Sequence, residues 1–60
     1  MGEKLKAARL AAGMTQKQLA DALGCRPKDI SRYESGLHEP KALTLKAMAQ
    51  ALGCSMDDLV

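Results

Sequence analysis

Cys25, Cys54 and His38 are the side chains in this 60-residue sequence best suited to redox or metal chemistry. Both cysteines close the same four letters, ALGC, at residues 22–25 and 51–54. Two thiols can form a disulfide or bind a metal ion, so the repeat could mark either kind of module. A zinc site takes four ligands and usually contains a close pair of cysteines, which these three residues do not supply. We therefore predict no metal site and no cofactor.

Residues for enzymatic catalysis are equally scarce. The sequence contains no Ser/His/Asp set, no glycine-rich phosphate loop and no carboxylate pair, so we do not expect an enzyme. The opening residues, MGEKLKAARL, carry interleaved charges rather than the apolar core of a signal peptide, and no apolar run has the length of a membrane span. We expect a cytoplasmic protein, and that compartment disfavours a disulfide.

The composition predicts an all-α protein that forms a single domain over residues 1–60. Tyr33 is the one aromatic residue, and the apolar content lies in Ala, Leu and Met, which are good helix formers. The formal net charge is only +2, with nine basic and seven acidic residues. The positive charge is biased toward residues 1–36, which favours an anionic partner on that side, although a solvated surface has a similar composition.

Apolar periodicity and capping signals predict five short helices. Thr15 and Gln18 have the spacing of a capping box, and Pro27 is suited to the first turn of a helix. Ser55 and Asp58 have the spacing that begins a last short helix. The predicted helices cover approximately residues 3–12, 15–23, 27–35, 42–52 and 55–60.

Each ALGC copy falls at the end of a predicted helix. Gly24 and Gly53 occupy the position that adopts a left-handed conformation, and the following cysteine folds back onto the last turn as a small apolar side chain. Residues 26–36 do not resemble the residues from 55 onward. We therefore interpret the repeat as two helix ends that share one motif, and not as a duplicated unit.

Ala20, Gly24 and Ile30 have the spacing of a helix-turn-helix, which we place at about residues 15–35. A small residue allows the two helices to cross closely, the glycine makes the turn, and the isoleucine anchors a second helix that can enter the major groove of DNA. An ordinary packed helix pair can contain the same three residues, so the spacing alone leaves that alternative open.

The sequence closely resembles the phage repressor and Cro family of helix-turn-helix domains, also called XRE-like. The resemblance covers nearly the whole chain and rests on MTQKQLADALG, ISRYESG, Pro40 and LKAMAQALGCSMDDL. It implies a five-helix, lambda-repressor-like fold and a bacterial or phage regulator of transcription that binds double-stranded DNA, most commonly as a repressor. It also implies a homodimer on a palindromic operator.

The resemblance implies that the third helix reads bases through its outward face. Lys28 and Arg32 lie four residues apart, and either side chain can donate hydrogen bonds to guanine O6 and N7. A solvated, charged helix face is the alternative for these two residues. The predicted base-contacting residues are Pro27, Lys28, Ser31 and Arg32.

Phosphate contacts are expected at the start of the second helix, where N–H groups and a side-chain amide can hold an anion. Thr15 can serve as a helix cap at the same time, or as a cap alone. Arg26 replaces the usual Ser or Thr cap of the third helix, and Glu39 brings negative charge near the expected phosphates, so we predict modest, salt-sensitive affinity. The predicted phosphate-contacting residues are Thr15, Gln16, Lys17, Arg26, Ser35 and Lys41.

Two further predictions concern structure and partners. The resemblance implies an ion pair between Arg9 and Glu34, although the sequence alone also allows two unrelated surface charges. Met56, Leu59 and Val60 are a candidate dimer surface, unless Met56 and Leu59 merely cover the core. The alternative function is a protein-interaction module on the same fold, such as an antitoxin that binds a toxin, or a coactivator-like domain.

Overall fold

The computed structural model describes residues 2–60, which form four α-helices and one turn of 3-10 helix. The elements are α1 (Gly2–Ala11), α2 (Gln16–Leu23), α3 (Pro27–Ser35), α4 (Ala42–Leu52) and the 3-10 turn (Met56–Asp58). No strand occurs in the described residues, and the all-α prediction is confirmed. Within that span, no helix has the length and apolar character needed to cross a membrane.

The fifth predicted helix is a single 3-10 turn rather than an α-helix. The Asp58 N–H donates to the Ser55 carbonyl (3.1 Å) and the Leu59 N–H donates to the Met56 carbonyl (3.0 Å), both across three residues. The Asp58 carboxylate also accepts from the N–H and the hydroxyl of Ser55, each at 3.1 Å. Side-chain capping therefore begins the element as predicted, but its backbone keeps the tighter hydrogen-bond pattern.

The helix starts differ in how they satisfy their first N–H groups. At α2 the predicted capping box is complete: the Thr15 hydroxyl accepts from the Gln18 N–H (3.1 Å), and the Gln18 side chain accepts from the Thr15 N–H (2.8 Å). At α3 the Arg26 guanidinium has no acceptor atom, so only the reverse bond exists, from the Arg26 N–H to the Asp29 carboxylate (3.2 Å). Lys41 likewise provides no side-chain cap for α4.

The two ALGC copies end α2 and α4 in the same way. Gly24 and Gly53 have φ values of 71° and 69°, in the left-handed region that glycine adopts without strain. The Cys25 N–H donates to the Ala20 carbonyl (2.9 Å), and the Cys54 N–H donates to the Ala49 carbonyl (3.0 Å). Both cysteines are partly buried against the core, with free thiols. The structure thus shows the predicted packing role of the cysteines.

The core is formed by seven buried residues contributed by all four helices and the segment after the 3-10 turn. They are Leu5, Leu19, Ala20, Ile30, Met48, Ala49 and Leu59. Leu59 is only 1% exposed, so its assignment to a dimer surface is wrong; its side chain belongs to the core, which was the alternative. Met56 and Val60, the other two residues of that candidate surface, are exposed.

The likeness between the two ALGC segments extends further than four letters. Each buried residue of the first segment has a buried counterpart 29 residues later, as Leu19 has in Met48. Ala20 corresponds in the same way to Ala49, and Ile30 to Leu59. The capping carboxylates Asp29 and Asp58 also correspond. This correspondence between residues 26–36 and the residues from 55 onward is not evident from sequence, because the shared positions are few and the exposed residues between them differ.

Candidate nucleic-acid interface

Helix α3 is held against the rest of the molecule by one face and exposes the other. Ile30 is fully buried and Tyr33 is half-buried, and α3 packs against both α1 and α2. The four residues that we predicted to contact bases are all exposed, as required of residues on the outward face: Pro27, Lys28, Ser31 and Arg32. The structure therefore presents them to solvent on a helix whose opposite side is fixed.

A buried ion pair ties the C-terminal end of α3 to α1. The Arg9 guanidinium donates to both carboxylate oxygens of Glu34, at 2.6 and 3.2 Å, and also to the Met14 carbonyl at 2.8 Å. The side chains are only 8% and 5% exposed, so the pair that the resemblance implied lies within the fold rather than on its surface. Such a pair fixes geometry, and removing either partner leaves a buried charge unpaired.

Gly2 shows how closely α1 approaches α3. A Cβ atom at this position would overlap the Glu34 carbonyl group, so only glycine allows the start of α1 to lie against the last turn of α3. The ion pair and this backbone contact are on the same two helices. Together they fix the orientation in which α3 presents its exposed face.

Gln16 joins the buried ion pair as a third member, which the sequence did not predict. Its amide Nε2 donates to Glu34 Oε1 at 3.1 Å, so part of a side chain assigned to phosphate is already bonded inside the protein. The Nε2 group carries a second N–H, and the assignment of Gln16 to a phosphate contact stays a prediction.

The other predicted phosphate-contacting residues fall into two groups. Thr15 and Ser35 have hydroxyls with local partners, since Thr15 caps α2 and the Ser35 hydroxyl donates to the Arg32 carbonyl at 3.1 Å. The remaining three are exposed basic side chains: Lys17, Arg26 and Lys41. These long cations are suited to reach a polyanion.

A recess of about 290 Å³ beside α3 is lined by both Arg32 and Lys41. Arg32 is a predicted base contact, and Lys41 is a predicted phosphate contact. The recess lies between α3, the loop that follows it and the start of α4. Its lining residues are Asp29, Arg32, Tyr33, His38, Glu39, Lys41 and Thr44. Glu39 therefore lines the same recess as Arg32 and Lys41, and the expectation of modest affinity stays a prediction.

Asp29 also lies near this site, although no functional role was predicted for it from sequence. Its carboxylate lies 3.6 Å from the Arg32 guanidinium, in addition to accepting the Arg26 N–H. The signal was present, because opposite charges three residues apart on a helix are neighbours. Burial of the Cys25 thiol raises its pKa, and the negative charge of the Asp29 carboxylate raises it further. Asp29 thus affects both the turn and the exposed face of α3.

No group of three or more potential metal ligands occurs in residues 2–60. The arrangement of α2, the Gly24 turn and α3, with a polar outer face on the second helix, defines a helix-turn-helix domain. A model of the helix-turn-helix family matches residues 5–59, and the chain belongs to that family. The predicted resemblance to the repressor and Cro type is confirmed.

The curated relatives are bacterial regulators of transcription. The chain is 39% identical over 59 residues to the SPbeta prophage-derived HTH-type transcriptional regulator YonR of Bacillus subtilis, covering 98% of this chain and 55% of that protein. It is 35% identical over 60 residues to the HTH-type transcriptional regulator ImmR of Bacillus subtilis, covering 100% of this chain and 47% of that protein. The chain therefore spans about half the length of these relatives.

Two solved structures share the fold closely. The clp gene regulator ClgR from C. glutamicum superimposes with a TM-score of 0.90 at 33% identity, covering 97% of this chain and 75% of that one. The P22 c2 repressor, in complex with the synthetic operator 9T, gives a TM-score of 0.90 at 34% identity, covering 98% of this chain and 89% of that one. The lambda-repressor-like fold predicted from sequence is confirmed.

Proposed function

We propose that this domain binds double-stranded DNA in a sequence-specific manner, with α3 in the major groove, and acts in transcriptional repression. The observation that carries the proposal is the exposed face of α3 on a helix fixed by Ile30 and by the Arg9–Glu34 pair. The P22 c2 repressor, whose fold is so similar, was solved in complex with an operator. A DNA-binding protein with bacterial relatives would work in the cytoplasm, and no catalytic step forms part of the proposal.

Lys28 and Arg32 are the residues that we propose to read bases. Each can donate to guanine O6 and N7, and Arg32 can do so through two parallel hydrogen bonds, which discriminate by about 1–3 kcal/mol against another base. Pro27 offers an apolar contact, such as to a thymine methyl group, and Ser31 a hydroxyl. We therefore expect G·C pairs beneath the two basic side chains.

Phosphate contacts position α3 and supply most of the affinity. In this proposal they come from the cap of α2, from Ser35 and from the exposed basic side chains. Contacts with Lys17, Arg26 and Lys41 release counterions from the DNA, so affinity falls steeply as the salt concentration rises. Phosphate contacts carry little sequence information, whereas base contacts determine which sequence is bound. Substituting a phosphate-contacting residue should therefore change affinity without changing the preferred sequence.

The test is selection of bound sequences from a random DNA library with the wild-type domain and with Arg32→Ala. The expected result is an enriched, roughly palindromic sequence whose conserved G·C pair loses its conservation in the variant. The matched control is Arg26→Ala, which removes a second exposed arginine from the same part of the molecule. That control should weaken binding to all sequences and lower the salt dependence by about one counterion, with the preferred sequence unchanged.

The outcome of the selection distinguishes between the two candidate functions. If the wild-type domain enriches no sequence, the protein-interaction alternative takes precedence, in which the domain binds a partner such as a toxin. If a sequence is enriched but Arg32→Ala leaves it unchanged, DNA binding stands and the assignment of Arg32 is wrong.

Homodimer formation on the DNA is part of the proposal, since a domain of this size covers little DNA alone and two copies can read a two-fold operator. Met56 and Val60 are the remaining members of the candidate dimer surface, at 37% and 45% exposure. Light scattering with and without the selected operator measures the stoichiometry. Two domains per operator support this part of the proposal, whereas one domain per operator contradicts it.

A further inference from the structure

The carboxylate of Asp29 holds two groups at the start of α3. One oxygen, Oδ2, accepts the backbone N–H of Arg26 at 3.2 Å, and the other, Oδ1, lies 3.6 Å from Arg32 Nη1. The side chains of Asp29 and Arg32 are 39% and 50% exposed, so the pair lies at the boundary between the fold and the outward face. The backbone bond fixes where the carboxylate is, and the carboxylate then attracts the guanidinium.

A long arginine side chain on an exposed helix face has many rotamers, and ordering it on binding costs conformational entropy. A fixed carboxylate one turn earlier on the same helix restricts those rotamers before DNA arrives. The attraction between two half-exposed charges is weak, so it contributes little to the stability of the fold. It acts on the one side chain whose planar, five-donor group must meet a guanine edge in a defined orientation.

We propose that Asp29 is a specificity-determining positioning residue, which orients the Arg32 guanidinium for guanine while its other oxygen fixes the start of α3. This inference rests on the proposed DNA-binding function and extends it to a residue that does not itself contact a base. The negative charge of Asp29 also opposes close approach of phosphates. Its presence therefore sharpens the choice of sequence and lowers the affinity for DNA in general.

Asp29→Asn tests this role with little disturbance to the fold. The amide oxygen of asparagine can still accept the Arg26 N–H, but the side chain has no charge to hold Arg32. The measurement is the ratio of dissociation constants for the selected operator and for an operator with the G·C pair beneath Arg32 changed to A·T, at fixed salt. We expect the ratio to fall about threefold to fivefold in Asp29→Asn. Binding to unrelated DNA should become tighter.

Asp21→Asn is the matched control, because Asp21 is an exposed aspartate on the neighbouring helix α2 and the same charge is lost. It should leave the ratio of the two operators at the wild-type value. A role limited to helix capping or net charge predicts no change in this ratio at a single base pair. Far-UV circular dichroism and thermal unfolding establish that both variants are folded.

The Arg32→Ala background distinguishes positioning from a direct effect. There, Asp29→Asn should no longer change the ratio, since the side chain that it orients is absent. The inference is overturned if Asp29→Asn and Asp21→Asn change the ratio equally, or if the effect of Asp29→Asn persists without Arg32. If the wild-type domain selects no DNA sequence at all, the proposed function fails, and this inference with it. If the wild-type domain selects a sequence, and this preference depends on Arg32 but not on Asp29, only this inference is overturned and the proposed function stands.

Discussion

The segment from α2 into α3 and the segment from α4 into the 3-10 turn are two versions of the same local structure. Both end a helix with ALGC, at glycines whose φ values differ by only a few degrees, and both begin the next element with an aspartate that accepts a backbone N–H. Both also bury the residue that follows this aspartate, Ile30 in the first segment and Leu59 in the second.

The two segments differ in the residues that lie between the shared positions. After the first copy, Arg26 and Lys28 outweigh Asp29, and the chain continues as the nine-residue helix α3. After the second copy, Asp57 and Asp58 are the only charges before Leu59, and the element is a three-residue 3-10 turn. The first segment is therefore suited to face a polyanion, whereas the second would repel one.

The two segments share the positions that fix the backbone, and they differ in the exposed residues that give each segment its charge. Each segment ends its helix with glycine and cysteine, and begins the next element with the capping aspartate and one buried aliphatic residue. The exposed residues differ between the two segments, and surface substitutions away from caps and core have small effects on stability. In the first segment the shared residues lead into the helix α3, which we propose to read DNA. In the second segment they lead to Leu59, which is part of the core.

The largest effect is expected from truncating the buried residue of each segment. Ile30→Ala and Leu59→Ala should each lower the free energy of unfolding by about 2–5 kcal/mol, because each removes a fully buried aliphatic side chain and leaves a cavity. Urea denaturation followed by circular dichroism measures the loss. The control is Leu43→Ala on the surface, where the side chain is 83% exposed and a change within about 0.5 kcal/mol is expected.

Similar losses at the two sites would support the equivalence of the segments. If Leu59→Ala instead behaves like Leu43→Ala, then Leu59 is not part of the core. In that case the second segment is peripheral, and Leu59 returns as a candidate for a dimer surface.

Replacing the two glycines should give an intermediate effect and should separate the segments by function. Gly24→Ala and Gly53→Ala each force a left-handed conformation on an L-residue at a cost of about 1–2 kcal/mol, with no steric contribution because a Cβ would meet no atom within 4 Å. Thermal unfolding should show similar losses for both. Operator binding, measured below the melting range, should weaken in Gly24→Ala and be retained in Gly53→Ala, because the Gly24 turn sets the angle of α3. Equal weakening in both variants would contradict this assignment.

The smallest effect is expected from the Cys25 thiol at alkaline pH. Burial and the Asp29 carboxylate raise the pKa of Cys25 above its ordinary value of 9.0. Below that value the thiol is protonated in both the folded and the unfolded chain, and its full contribution to stability is present. As the pH rises from 9.0 through the folded-state pKa, the unfolded chain ionises first and the contribution is lost.

Thermal unfolding between pH 7 and 10 measures this loss of stability. The decline should be shallower in Cys25→Ala than in the wild type, while Cys54→Ala should retain the decline because Cys25 is still present. If Cys25→Ala and the wild type follow the same curve, the pKa of Cys25 in the folded chain is not raised.

Local structure was the part of this protein that could be predicted from sequence. The helix bounds, the Thr15 capping box and the glycine stops all depend on contacts within a few residues, so the pattern of residue types was sufficient. The outward face of α3 was predicted for the same reason, because one buried residue, Ile30, fixes which side faces solvent. The resemblance to the repressor and Cro family then gave the fold and the Arg9–Glu34 pair.

The sequence was less informative wherever distant segments meet or where one side chain has two partners. It proposed Leu59 for a dimer surface while leaving a role in the core open, extended the last element into a helix and did not connect Gln16 to Glu34. It did not identify Asp29 as a neighbour of Arg32. For Leu59 and Gln16 the missing information was the position of another element, which periodicity along the chain does not contain. The contact between Asp29 and Arg32 lies within one helix, and its spacing was already present in the sequence.

The sequence by itself thus determined where the helices stop and start, because caps and left-handed glycines are satisfied by atoms nearby in the chain. Only the tertiary structure decided the role of the segment that follows each helix end. The 3-10 turn that precedes the buried Leu59 packs against α1 and α4, and the orientation of α3 depends on the contact between Arg9 and Glu34 across the fold. The two ALGC copies share their local hydrogen bonds, and their roles diverge because their neighbours in space differ.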